Sequence, residues 1–290
     1  MQLEQLRAFA TAIDLGTLDA AARELSLTPS AMSQRLRALE ASAGAVLLER
    51  TTPVRPTAAG EVVLRLARQV LLLQAEARSE LDGGLGVDGG AGGRVTVVRV
   101  VVNADSLATW FPAVFDEAAG WADIALHLTV ADQAVAAEHL SRGAAMAAVT
   151  SRPRAAPGCR SVPLGVMRYH AMARADLVAS GLGPADLPMV NFGPDDDLQD
   201  ARLAQLGVGR PPRVTQVPSA EGFLAAVAAG LGWGMVPAGM LARTDADLCQ
   251  LRVGGTVEVP LFWHRWRLAS EPLDRLSAAV EKFANIHLAK

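Results

Sequence analysis

Thr28-Pro29-Ser30-Ala31-Met32-Ser33-Gln34-Arg35-Leu36-Arg37-Ala38-Leu39-Glu40 is the stretch that decides the fold. As a helix it places Met32, Leu36 and Leu39 on one apolar stripe and gathers Ser30, Ser33, Gln34 and Arg37 on the opposite side. Thr28 suits the N-cap, and Pro29 suits the first helical position, where a backbone N–H has no partner anyway. Short polar side chains and an arginine are the groups that hydrogen-bond base edges in a DNA major groove.

Two helical stretches precede it. One aligns Leu3, Leu6, Phe9, Ala10 and Ile13; the other carries Leu18, Ala21, Ala22 and Leu25, with Gly16-Thr17 between them. Helix, helix, turn, helix is the order of a helix-turn-helix, whose last helix enters the major groove. Val46 to Arg50 and Thr51 to Pro56 follow as a short hairpin, a wing that brings Arg50 and Arg55 toward phosphates. The competing reading is a small alanine-rich bundle with a solvated polar face. The DNA-contact candidates are Thr28, Ser30, Ser33, Gln34, Arg35, Arg37, Arg50 and Arg55.

Bulk charge gives this reading no help. The chain carries a net charge of −3, and Met1 to Gly60 balance six arginines against six acidic residues. DNA affinity would therefore depend on local arginine placement, doubled by a dimer and sensitive to salt. Ala59, Val63, Leu66, Val70, Leu73 and Ala77 alternate steps of four and three, the seam of a coiled coil, although a helix lying on its own domain would show the same pattern. A helix from Thr57 to Leu81 would span roughly 37 Å, enough to separate two reading heads.

Asp82 to Gly93 contains seven glycines and reads as a hinge. From Arg94 onward, strand and helix signals alternate. Strands are expected at Arg94 to Val102, Ala125 to Val130, Ala145 to Thr150, Met189 to Phe192, Val214 to Val217, Gly234 to Val236 and Pro260 to Trp266, in a mainly parallel sheet. The uncharged run Gly222 to Ala242 is interrupted by Gly230, Gly232, Gly234, Pro237 and Gly239, which argues for buried helix, turn and strand instead of a membrane span. Cys159 and Cys249 form no metal-ligand pattern, and the opening residues lack a secretory signal, so a reducing cytoplasm fits best. The expected divisions are 1–60 for the DNA head, 61–93 for the linker helix and hinge, and 94–290 for an α/β domain.

Met1 to Gly60 resemble the N-terminal domain of LysR-type transcriptional regulators, and the resemblance runs the length of the chain. Leu27 to Arg35 and Asn103-Ala104-Asp105-Ser106-Leu107-Ala108-Thr109-Trp110 resemble the subgroup that senses basic amino acids and controls their export, the LysG and ArgP regulators. The resemblance implies an α/β chain with a winged helix-turn-helix, a long linker helix and a two-lobed effector domain like periplasmic binding proteins. It also implies a dimer or tetramer on double-stranded promoter DNA, with lysine or arginine as effector and RNA polymerase as a further candidate partner. No membrane partner, cofactor or metal is expected.

Ligands of open α/β sheets gather beyond the carboxyl ends of strands. Asn103, Ala104, Asp105 and Ser106 occupy such a place, as do Asp132 and Thr150. Asp196, within Asp195-Asp196-Asp197, and Ser219 can reach the same cleft from the second lobe, and Trp263 lies on a late strand returning to the first. Each has a plainer reading: Asp105 and Asp132 as helix caps, Asp195 to Asp197 as a solvated first turn, Ser219 as an N-cap. The subgroup is more acidic where this chain has Ala131-Asp132-Gln133. Cys159 with His170, or His264 beside Trp263, offers no third orienting group, so an enzyme is not expected. Two alternatives stay open: a small-molecule binding or transport-associated protein without DNA function, and an architectural DNA protein without a ligand.

Overall fold

The computed structural model describes residues 1–49, 51–84, 95–131, 133–194, 196–253 and 255–290. The head begins with α1 (Leu3–Leu15), α2 (Leu18–Glu24) and α3 (Pro29–Ala43). Thr28 caps α3, its Oγ1 accepting from the Ala31 N–H at 3.2 Å, and Gly44 ends the helix in the left-handed region. Leu6, Phe9, Ala21, Ala22, Met32, Leu36 and Leu39 close one core between the three helices. Each large apolar side chain buried there contributes roughly 1.5–3 kcal/mol. The wing is a minimal antiparallel pair, β1 (Leu48–Glu49) with β2 (Arg55–Pro56).

The linker helix α4 (Ala58–Gly84) reaches past the expected start of the hinge, taking in Asp82, Gly83 and Gly84. The rest of the glycine tract lies outside the described residues. Val63, Leu64 and Ala67 of α4 complete the head's core, while Leu72 is buried in the core of the effector domain. The expected seam is therefore divided. Val63 packs within its own chain, whereas Leu66 and Leu73, 42% and 40% exposed, form an open apolar row with Val62.

The effector domain opens with β3 (Thr96–Val102), α5 (Ala104–Ala108), α6 (Pro112–Ala118), β4 (Ile124–Val130), α7 (Gln133–Ser141) and β5 (Ala147–Thr150), which with their sheet form the first lobe. A long strand, β6 (Cys159–Arg174), carries the chain to the second lobe: α8 (Ala175–Ala179), β7 (Met189–Asn191), α9 (Leu198–Gln205), β8 (Val214–Gln216), α10 (Ala220–Ala228), β9 (Gly234–Pro237), α11 (Ala238–Leu241) and β10 (Leu248–Gln250). The chain returns through β11 (Thr256–Trp266) and closes with α12 (Glu271–His287).

The main sheet has the order β10-β6-β11-β5-β3-β4, with β9 also on β6. Among the described residues its parallel pairs are β3 with β4 and β3 with β5, while β6, β9, β10 and β11 pair antiparallel. This corrects the expected mainly parallel sheet. The reason is β6, which sequence reading missed because Arg160, Ser161, Pro163 and Gly165 interrupt its apolar pattern. Parallel pairing recurs in the small β7–β8 sheet and at the Met189–Trp233 bridge. The β6–β11 ladder slips register between Leu261 and Phe262, near Gly165 at φ 138°, where the two strands pass from one lobe to the other. Bulges of this kind bend a ladder locally.

Trp233, Trp263 and Trp266 are fully buried, and each indole N–H finds an acceptor: the Pro184 carbonyl at 2.8 Å, Ser277 Oγ at 3.0 Å and the Leu140 carbonyl at 3.4 Å. Satisfying these donors is what makes an indole tolerable in a core.

The head is joined to the first lobe by more than the covalent chain. Asp14 of α1 pairs with Arg68 of α4 and, at 2.8 Å, with Arg99 of β3. Arg65 donates to the Ser141 carbonyl at 2.7 Å, and Arg142 pairs with Glu61 at 2.6 Å. Gly143, at φ 71°, lets α4 approach, because a Cβ there would stand 2.5 Å from Arg65 Cα. Farther along α4, the Ser270 hydroxyl donates to Glu76 at 2.5 Å.

Candidate DNA-reading face and inter-lobe cleft

On α3, Met32, Leu36 and Leu39 point into the core, which leaves the other side of the helix in solvent. Thr28, Ser30, Gln34 and Arg37 are exposed and Ser33 half-buried. The Thr28 and Ser30 hydroxyls lie 3.0 Å apart. Arg35 is tethered to Glu4 at 3.3 Å, whereas Arg37 forms no ion pair among the described residues. Of the two arginines on this helix, Arg37 is thus the one with an uncommitted guanidinium. Arg55 is exposed on the wing strand, and Arg50 lies outside the described residues. This geometry presents short donors and a bidentate cation at one surface, the chemistry that base edges accept.

The second site lies between the lobes. Ala104, Leu107, Ala108 and Val130 of the first lobe and Phe192, Pro218, Ser219, Ala220 and Glu221 of the second line a cavity of about 180 Å³. That is small beside the usual 300–1,000 Å³ of a ligand pocket and suits a compact metabolite. Asp105, in the first turn of α5, does not cap its helix; its carboxylate accepts from the Tyr169 hydroxyl at 2.7 Å. Burial pushes the Asp105 carboxyl up to about 6, and the neighbouring Asp196 adds to the rise while the tyrosine bond opposes it. Asp196 is also raised, again chiefly by burial, although it accepts from the backbone N–H of Phe192 at 3.0 Å and of Leu198 at 3.2 Å. Neither carboxylate has an ion pair among the described residues.

Several polar atoms nearby are also uncommitted. Asn103 Oδ1 and Ser106 Oγ are buried without a hydrogen-bond partner among the described residues. Thr150 is buried at the end of β5, its hydroxyl accepting from the Arg152 N–H at 3.2 Å. Ser219 is the N-cap of α10, accepting from the Gly222 N–H at 3.2 Å, and it also lines the cavity. Its capping role and its cleft position therefore coexist. Arg243 bridges the lobes, donating to the Thr109 carbonyl at 3.0 Å.

Trp263 does not belong here. Its side chain is fully buried under α12 and bonds Ser277, so of the core and cleft-lining roles open to it the cleft contact is ruled out and the core role holds. Asp132 lies outside the described residues. Two residues that sequence reading passed over now join the site: Tyr169, carried by the unrecognised β6, and Glu221, whose place two residues after Ser219 in an otherwise apolar helix was the available signal.

The enzymatic alternatives find no geometry. Cys159 and His170 stand eleven positions apart on one strand, roughly 36 Å. Burial pushes the Cys159 thiol up to about 11 and lowers the buried His264. Among the described residues, no cluster of three or more His, Cys, Asp or Glu side chains can hold a metal, and no helix is long and apolar enough to cross a membrane.

Residues 3–61 match the bacterial regulatory helix-turn-helix family of lysR type, and residues 91–289 match the LysR substrate binding domain. The chain belongs to the LysR-type family of transcriptional regulators. It is 41% identical to the lysine export transcriptional regulatory protein LysG of Corynebacterium glutamicum, over 95% of each chain. Full-length LysG from that organism with bound effector Arg superposes on it with a TM-score of 0.80 at 39% identity, covering 100% of both chains. ArgP from Mycobacterium tuberculosis gives a TM-score of 0.85 at 39% identity over 98% of both. Being a LysR-type regulator, the chain is not an enzyme but a DNA-binding protein that answers to a ligand.

Proposed function

We propose that this regulator takes a cationic amino acid, arginine or lysine, between its lobes and thereby changes how paired α3 helices sit on promoter DNA beside an amino-acid exporter gene. The observation that carries the reading is the pair Asp105 and Asp196, one from each lobe, both half-buried and neither offset by a cation among the described residues. A carboxylate drawn partly out of water without a counter-charge is costly even when hydrogen-bonded, and a ligand cation offsets that cost. Glu221 adds a third acidic group at the rim, and the free Ser106 hydroxyl can donate to the effector's α-carboxylate. The relative with bound arginine supports the same chemistry.

On the DNA side, Ser30, Ser33, Gln34 and Arg37 read bases, with Thr28, Arg35, Arg50 and Arg55 on the backbone. The open row Val62, Leu66 and Leu73 on α4 supports pairing with a second copy, since water-exposed apolar stripes at this spacing favour helix association. Domains at 1–60, 61–93 and 94–290, and a cytoplasmic location, complete the reading. Calorimetry with arginine, lysine and the uncharged isostere norleucine tests it. The cationic ligands bind and norleucine does not; equal binding of norleucine refutes the role of the carboxylates.

A further inference from the structure

A second cavity, of about 690 Å³, lies in the first lobe away from the cleft, lined by Arg154, Ala155, Ala156, Gly158, Arg160 and Arg267, with Pro157, Cys159 and Ser161 completing the wall. Register fixes its place. Thr150, level with the cleft, pairs with Phe262, while Cys159 pairs with Trp266 at the other end of the ladder. Four residues of strand separate the two ends, roughly 13 Å.

Its charge is one-sided. No carboxylate lines it, and the stretch from Thr150 to Pro163 that forms most of its wall holds three arginines without a single Asp or Glu, in a chain whose net charge is negative. The side chains of Arg154 and Arg160 take no ion pair or hydrogen bond among the described residues. Arg267 uses only Nε, donating to the Cys159 carbonyl at 3.0 Å, which aligns the guanidinium and leaves its terminal nitrogens for a ligand. Ser161 adds a hydroxyl, and the backbone of the loop is already engaged, with the Cys159 N–H on the Ala156 carbonyl and the Arg267 N–H on the Gly158 carbonyl. Three like charges around one concavity repel each other until an anion enters. The planar guanidinium fork matches a phosphate in particular.

We propose that this cavity is a phosphate-binding site, distinct from the effector cleft, in which Arg154, Arg160 and Arg267 hold a multiply charged phosphate group. Two sources share that chemistry: a free phosphorylated small molecule and a backbone phosphate of bound DNA. The full-length protein is titrated with pyrophosphate by calorimetry, beside the double variant Arg154→Gln/Arg160→Gln. Both arginines are exposed and unpartnered, so the substitution leaves the fold intact, and an unchanged melting temperature confirms it. Saturable pyrophosphate binding, weakened at least tenfold in the variant, is expected. A DNA titration across salt concentrations separates the sources. A shallower salt slope in the variant assigns the site to DNA phosphate, since each lost contact lowers the slope by about one; an unchanged slope alongside pyrophosphate binding assigns it to a free ligand. Absence of pyrophosphate binding with an unchanged slope overturns the proposal, as does pyrophosphate binding equal in both proteins.

Discussion

Acidification should weaken effector binding, by an amount that Asp105 sets. Burial pushes its carboxyl up to about 6, and a cation beside it would draw it back toward the ordinary value of 3.8. The effector then competes with a proton. The loss in affinity is the ratio of the two binding polynomials, close to 1 at pH 7.5 and about tenfold at pH 5, or about 1.4 kcal/mol. At pH 6 the same arithmetic releases about half a proton per effector bound. Folding stability shifts as well: between about pH 4 and 6 the folded chain holds a proton that the unfolded chain has released, so this group's contribution falls as pH rises through that window. Calorimetry of arginine binding from pH 7.5 to 5, repeated in buffers of different ionisation enthalpy, reads both the affinity and the proton. Asp105→Asn should bind more weakly and flatten most of the pH dependence. A flat profile in the unmodified protein, or an unchanged slope in Asp105→Asn, refutes the argument.

Three further outcomes follow from the geometry. Arg37→Ala should weaken operator binding by ~1–3 kcal/mol more than binding to random DNA, as seen by competition gel shift; equal losses would make Arg37 a phosphate contact. Asp14→Asn leaves the buried Arg68 without its counter-charge and should cost about 1–3 kcal/mol in urea unfolding, with an unchanged midpoint counting against the joint. Gly143→Ala meets Arg65 Cα and an unfavourable positive φ together, so its thermal midpoint should fall by several degrees, and a midpoint equal to the parent's would show that α4 yields there at no cost.

The head was legible residue by residue because its determinants are local. The Thr28 cap, Pro29 and the Met32, Leu36 and Leu39 stripe depend on helical periodicity alone. The sheet was harder, since strand partners are set by the whole fold: β6 carries a proline, a glycine and outward arginines, and its ladders with β11, β9 and β10 stabilise it. Trp263 shows the same limit, because strand alternation leaves open which face meets α12 and which meets solvent. Tyr169 belongs to the cleft through a contact with Asp105 sixty-four positions away, a separation that no local pattern encodes.

The joint at Asp14 holds together three elements that are far apart along the chain. Since α1, α4 and β3 grip one another through Asp14, Arg68 and Arg99, the head keeps its seat on the first lobe through side chains and not through the covalent link alone. Any exchange of charge at the three gripping side chains would therefore set the head adrift.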